Sequence, residues 1–210
     1  MFEQTLSNDT KSNLEAIGRT LLAGQFYLAG GTAIALHLGH RQSFDLDFFT
    51  PDHFSIDAVL ETLKSLGTVD IIQADEDTFN GQLNNSRLSF FRYPYPVLAP
   101  YFSYAKAQIA SPVDLASMKV DAITRRGVKR DFIDLYFICQ QLFPLEQAME
   151  NYFSKFRDFN ISRVHVVKSL TYFEDADSND MPQMLKPVKW TDVKKYFQRE
   201  SKSLTEKWLK

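Results

Sequence analysis

The chain has 210 residues, 44% of them apolar, with a formal net charge of -2. This length suits one domain, or a compact domain with a helical extension, and the apolar share excludes a disordered chain. The charge balance gives no global drive toward nucleic acid and leaves that role to local basic patches. One cysteine, Cys139, excludes an intramolecular disulfide. Its setting DLYFICQQLF reads as a buried helix position and a packing thiol. No basic-then-apolar leader opens the sequence and no apolar run reaches about 18 residues, which predicts a cytoplasmic protein without a membrane partner.

In chain order, residues 1–24 read as one amphipathic helix with Leu14, Ile17, Leu21 and Leu22 on a stripe. A strand at 26–29 leads into Gly30-Gly31 and a helix from Thr32 to about Leu38, and a second strand spans 44–49. A helix from Ser55 or Asp57 through Leu66 follows. Strands are expected at 69–73, 82–83 and 88–93, with a short edge strand at 108–110. The acids Asp75, Glu76 and Asp77 read as a solvated loop. From Ser111 the pattern turns helical, opening on a capping residue, proline and acid in Ser111-Pro112-Val113-Asp114. Helices are predicted to Arg125, from Asp131 to Leu142, and at 144–157, 161–173 and 191–208. This divides the chain into a core at 1–110 and a helical region at 111–210.

Within 26–50, Asp45 and Asp47 fall two apart, so on a strand they share a face. Hard divalent cations prefer oxygen ligands and take one or two carboxylates plus substrate phosphates. Leu46, Phe48 and Phe49 make the setting apolar, where a bare carboxylate is costly. Two solvated acids at a strand edge is the plainer reading of the pair alone. Gly30-Gly31-Thr32 joins a strand to a helix N-terminus, which offers free N–H groups and partial positive charge to an anion. Neither a P-loop nor a dinucleotide fingerprint is present. Ser43 is placed to donate to a phosphate oxygen.

Lys119 and Asp134 are fifteen positions apart, about 22 Å along one helix, so only a break at Gly127 can bring them together. An aspartate in the apolar run DFIDLYFI needs a partner. Lys119 fits either as a structural ion pair or as a phosphate-neutralising cation. Arg125, Arg126, Lys129 and Arg130 cluster at that turn, as a solvated helix end or as a phosphate or RNA contact. The histidines lack zinc spacing.

Four blocks in this order resemble the nucleotidyltransferase toxins of the AbiEii/AbiGii type, which include the MenT group. They are Ala29-Gly30-Gly31-Thr32-Ala33; Gly39-His40-Arg41-Gln42-Ser43-Phe44-Asp45-Leu46-Asp47-Phe48-Phe49; Tyr93-Pro94-Tyr95-Pro96; and Lys119 with Arg130-Asp131-Phe132-Ile133-Asp134-Leu135-Tyr136. The resemblance implies an α/β (α+β) fold: a polymerase-β-like nucleotidyltransferase core, with a small mixed sheet flanked by helices and a helical C-terminal region. It implies that Asp45 and Asp47 bind Mg²⁺, and that Gly30, Gly31, Thr32, Ser43 and Arg130 contact the NTP. It makes Lys119 and Asp134 active-site residues, completing the set with the two metal-binding aspartates. It also implies transfer of a nucleoside monophosphate to an acceptor such as the tRNA 3′ end, and a cognate antitoxin. The expected role is the toxin of a toxin–antitoxin or abortive-infection phage-defence system. An inactive nucleotide- or partner-binding module, or a protein or small-molecule acceptor, stays open beside it. The strand at 88–92 lacks the third carboxylate common in the wider superfamily, which leaves a full two-metal site in doubt.

Overall fold

A computed structural model describes residues 1–208. Backbone contacts divide the chain into two units, Met1–Ser111 and a second beginning at Pro112. The first is built on one mixed sheet: β1 (Tyr27–Ala29), β2 (Leu46–Thr50), β3 (Val69–Asp75), β4 (Thr78–Leu83), β5 (Ser86–Arg92), β6 (Phe102–Tyr104) and β7 (Ala107–Ile109). The strand order is β3-β4-β5-β2-β1-β7-β6. β2 runs parallel to β5 and β1 parallel to β7, while the remaining neighbours are antiparallel. Helices α1 (Asn8–Ile17), α2 (Leu22–Gln25), α3 (Gly30–Leu38) and α4 (Ile56–Leu66) complete this unit.

Side-chain alternation on β2 explains its place in the middle of the sheet. Leu46, Phe48 and Thr50 are buried on one face, while Asp47 and Phe49 on the other are half-buried. Phe48 lies opposite Phe90 in register and stacks on it at 5.0 Å, with Phe26 edge-on to Phe90 at 4.9 Å. Such aromatic pairs add to the area they bury, and they account for part of the chain's phenylalanine excess. On the opposite face Phe49 meets Tyr27, Phe91 and Tyr93.

α3 is buried along nearly its whole length, at Thr32, Ala33, Ile34, Ala35, Leu36 and Leu38. It starts at Gly30 (φ +65°) and stops at Gly39 (φ +63°), two left-handed positions that glycine adopts without steric cost. A Cβ on Gly39 would lie 2.6 Å from the Phe2 ring. The segment before α1 braces this region: Phe2 N–H donates to Leu36 O at 2.8 Å, and Ser43 N–H to Thr5 O at 2.9 Å.

The second unit is helical: α5 (Pro112–Arg125), α6 (Lys129–Gln141), α7 (Leu145–Lys155), α8 (Arg163–Ser169), α9 (Glu174–Asp177) and α10 (Trp190–Trp208). Gly127, at φ +50°, turns the chain between α5 and α6. Phe132 anchors the α6 side of the core against Phe173, Trp190 and Phe197. A buried ion pair, Lys155 Nζ to Asp114 Oδ1 at 2.7 Å, ties α7 to the start of α5. Cys139 is half-buried rather than fully buried, and burial pushes its thiol up to about 12, as suits a packing role. Among the described residues no helix is long and apolar enough to cross a membrane.

Three expectations change. Residues 1–24 do not form one helix: a 3-10 turn (Glu3–Thr5), α1 and α2 replace it, with Ser7 capping α1 by accepting from Thr10 N–H. The strand expected as an edge is interior, because β7 lies between β1 and β6. Finally, Asp77 is not simply solvated. It turns the β3–β4 hairpin at φ +59°, accepts from Phe54 N–H at 3.2 Å and lies 2.6 Å from His53 Nδ1.

Candidate active site

In the first unit the glycine turn and the aspartate strand are direct neighbours. Ala29, the last residue of β1, is the register partner of Asp47 on β2, and α3 begins at the next residue. A Cβ placed on Gly30 would sit 2.6 Å from Asp47 Oδ2. Only glycine therefore allows the helix-opening backbone and that carboxylate to share this space. Gly31 is equally confined, since a Cβ there would strike the Arg41 guanidinium and come 3.4 Å from Ser43 Oγ.

Thr32 locks the far side. Its hydroxyl donates to Ser43 Oγ at 2.9 Å and also contacts the Asp45 carbonyl oxygen. The first turn of α3 thereby fixes the segment that delivers both aspartates. Asp45 precedes β2 and Asp47 lies within it, and both are half-buried. Gly30, Gly31, Thr32, Ser43 and Asp47 thus converge around one helix N-terminus, with Asp45 tied to it through its carbonyl oxygen. That arrangement offers backbone N–H groups and a partial positive charge beside the Asp47 carboxylate, with Asp45 two residues earlier. These donors fit a divalent cation carrying phosphates.

Arg41 was missed in the sequence. It is buried, and its guanidinium packs against Gly31 and donates to Gln42 O at 2.9 Å. The available signal was its place between two buried partners of the glycine turn, which no periodicity reveals. The parallel neighbour of β2 puts Ser89 opposite Asp47. Neither register partner of Asp47, Ala29 or Ser89, is an acid.

In the second unit the break at Gly127 brings Lys119 and Asp134 together. Lys119 Nζ lies 2.8 Å from Asp134 Oδ2 and 2.7 Å from Asp131 Oδ1. Asp131 also accepts from Arg126 Nε at 3.0 Å and Nη2 at 3.2 Å. Both aspartates are fully buried and Lys119 nearly so. The spacing argument anticipated Asp134 but not Asp131, which shares the same lysine one turn earlier on α6. The basic cluster separates into unlike members. Arg130 is exposed, whereas Lys129 is buried, with its ammonium on Asn179 O and 5.5 Å from the Trp190 ring centre.

Burial opposes ionisation of Asp131, yet Lys119 and Arg126 outweigh it and hold the carboxyl below the ordinary aspartate value of 3.8. A depressed folded pKa contributes stability that is fully present above the unfolded value and is lost as pH falls through the folded one. The urea midpoint is therefore expected to drop as pH is lowered from 4 toward 2, and Arg126→Ala should weaken that dependence. A midpoint equally acid-sensitive in Arg126→Ala would remove Arg126 as a cause.

Comparison with known proteins adds the family. The model of the AbiEii nucleotidyl transferase toxin, type IV toxin–antitoxin system, matches residues 14–104 and 91–207. An uncharacterized protein of Aquifex aeolicus is 34% identical over 209 residues, covering 96% of this chain and 98% of the relative. Among solved structures, the MenT4 nucleotidyltransferase toxin of Mycobacterium tuberculosis superposes with a TM-score of 0.65 at 16% identity, covering 93% of this chain and 82% of that one. A Helicobacter pylori protein described as a putative nucleotidyltransferase gives 0.57 at 17% identity, covering 96% of each chain. These likenesses bear out the mixed sheet flanked by helices as a nucleotidyltransferase fold. The chain belongs to the AbiEii family of nucleotidyltransferase toxins.

Proposed function

We propose that this toxin is a Mg²⁺-dependent enzyme that transfers a nucleoside monophosphate from an NTP to an RNA acceptor, the tRNA 3′ end. The carrying observation is the shared space of Gly30 and Asp47, a helix N-terminus opening 2.6 Å (from a would-be Cβ) beside a half-buried carboxylate. A triphosphate needs both parts at once: N–H donors for its oxygens and carboxylates for its counter-ion. Mg²⁺ held by Asp45 and Asp47 would supply charge neutralisation to the triphosphate.

Gly30, Gly31, Thr32 and Ser43 hold the phosphates, with Arg41 adding positive charge beside the turn and Arg130 a further phosphate contact. In the reaction an acceptor hydroxyl oxygen bonds to the α-phosphorus while the α–β anhydride bond breaks, releasing pyrophosphate. Lys119 stabilises the charge that develops, and Asp134 fixes the lysine. With no acid at Ala29 or Ser89 beside Asp47, the site would hold one ion firmly, and a second would come with the nucleotide. The toxin's partner is a cognate antitoxin, and its setting is phage defence.

The test incubates purified protein with labelled NTPs, Mg²⁺ and total tRNA. Label is expected on tRNA 3′ ends and is expected to vanish with excess chelator. Undiminished transfer under chelation would sink the metal assignment, and labelled protein with unlabelled RNA would replace the acceptor.

A further inference from the structure

The second unit contains a cavity of about 350 Å³ that the reaction above does not use. One wall is the α5–α6 turn, with Arg125, Arg126 and Gly127 over Ile123; the other is formed by His165 and Lys168 of α8 with Tyr172 beyond it. Three cations, Arg125, Arg126 and Lys168, line it against one lining acid, Asp175. Arg125 is paired with Asp121 at 2.8 Å and Arg126 with Asp131, but both guanidinium side chains stay more than half exposed. Tyr172 is 53% exposed, and its hydroxyl donates to Glu174 Oε2 at 2.8 Å, tethering the ring by its polar end.

We propose that this cavity is a subsite for single-stranded RNA, holding one nucleotide of the acceptor with its phosphodiester on Lys168 and Arg125 and its base on the Tyr172 ring. The inference rests on the RNA-acceptor reading above. The observations select this ligand in three ways. Moderate positive charge, with two of three cations already sharing a carboxylate, suits one or two singly charged phosphodiesters better than the dense charge of a triphosphate. An open aromatic beside that charge matches the stacking platform and basic track by which single strands are held without sequence readout. The volume admits one nucleotide and not a duplex. An acidic peptide would satisfy the cations and leave the ring without purpose.

The experiment measures binding of a labelled oligoribonucleotide of about eight residues to the full chain by fluorescence anisotropy, without NTP, over a salt series. Lys168→Ala is expected to weaken binding and to reduce the slope of log K against log salt by about 0.7, one phosphate contact on a single strand. Tyr172→Ala is expected to weaken binding about tenfold with the slope unchanged, and Tyr172→Phe to retain most of the affinity. Binding of a fluorescent NTP analogue is expected to stay as in the wild type for all three, which excludes misfolding as the cause. Wild-type affinity and slope in both alanine variants would overturn the subsite. So would competition by poly-glutamate as strong as that by unlabelled RNA, or wild-type protein that fails to bind RNA at low salt. Cavity-dependent binding without label transfer to any RNA would leave the subsite standing and overturn the acceptor reading alone.

Discussion

Asp47→Ala is expected to lower nucleotidyl transfer by at least about 10²–10³-fold, the scale on which one preorganised charge-stabilising group acts. Overall stability should be nearly unchanged. The asymmetry comes from the setting. Asp47 belongs to a central strand, yet its side chain leaves the sheet on the half-buried face rather than in the Leu46–Phe48 core. Removing it costs no buried hydrophobic contact. Gly30→Ala should imitate it from the opposite side of the same gap. A Cβ at Gly30 meets the end of a movable side chain, so Asp47 would rotate away and the protein would still fold. The φ of +65° adds about 1–2 kcal/mol of backbone strain for alanine. Label transfer measured beside a urea midpoint distinguishes the two outcomes. Full activity in Asp47→Ala would remove the carboxylate from the proposed chemistry, whatever the melt shows.

Lys119→Met is expected to be the most destabilising single change in the second unit, at about 3–5 kcal/mol. The reason is what remains: Asp131 and Asp134, both fully buried, lose the ammonium within 2.8 Å of each. Arg126 still reaches Asp131, at 3.0 Å. Asp134→Leu in the Lys119→Met background should recover part of the loss, because it removes a fully buried charge whose 2.8 Å ion pair with Lys119 has been broken. A double-mutant cycle by urea denaturation reads this coupling directly. Additive losses would show that the lysine and Asp134 are energetically independent. The same variants separate structure from chemistry. A Lys119→Met, Asp134→Leu protein that melts near the wild type but transfers no label assigns the lysine–aspartate pair to the reaction.

Much of this architecture is legible from residue patterns, and the gaps have physical causes. The alternation expected along 44–49 placed Asp47 on the half-buried face of β2, because a strand's period of two is local information, but β2 begins at Leu46 and leaves Asp45 just ahead of it. The glycine pair marked a turn for the same reason. Gly127 showed where the helical hairpin folds, hence that Lys119 could reach Asp134. Which other acid would share the lysine depends on how α6 is rotated against α5, and packing sets that, so Asp131 went unassigned. Arg41 escaped because a buried arginine has no periodic signature. Its reason for burial is a glycine ten residues earlier. The strand expected at an edge was misplaced for a similar reason: β7 has three residues, and a strand that short cannot declare whether its second edge is covered.

The contacts of Phe2 and Thr5 have a practical consequence for anyone handling the protein. The Phe2 ring fills the space beside Gly39, and Thr5 accepts from the residue that supplies the Ser43 hydroxyl. Residues 2–5 thus brace α3 at Leu36 and the chain at Ser43, one of the residues proposed to hold phosphate. An affinity tag or fusion partner joined just ahead of them is expected to disturb this bracing, and a loss of activity in such a fusion would mimic an inactivating mutation.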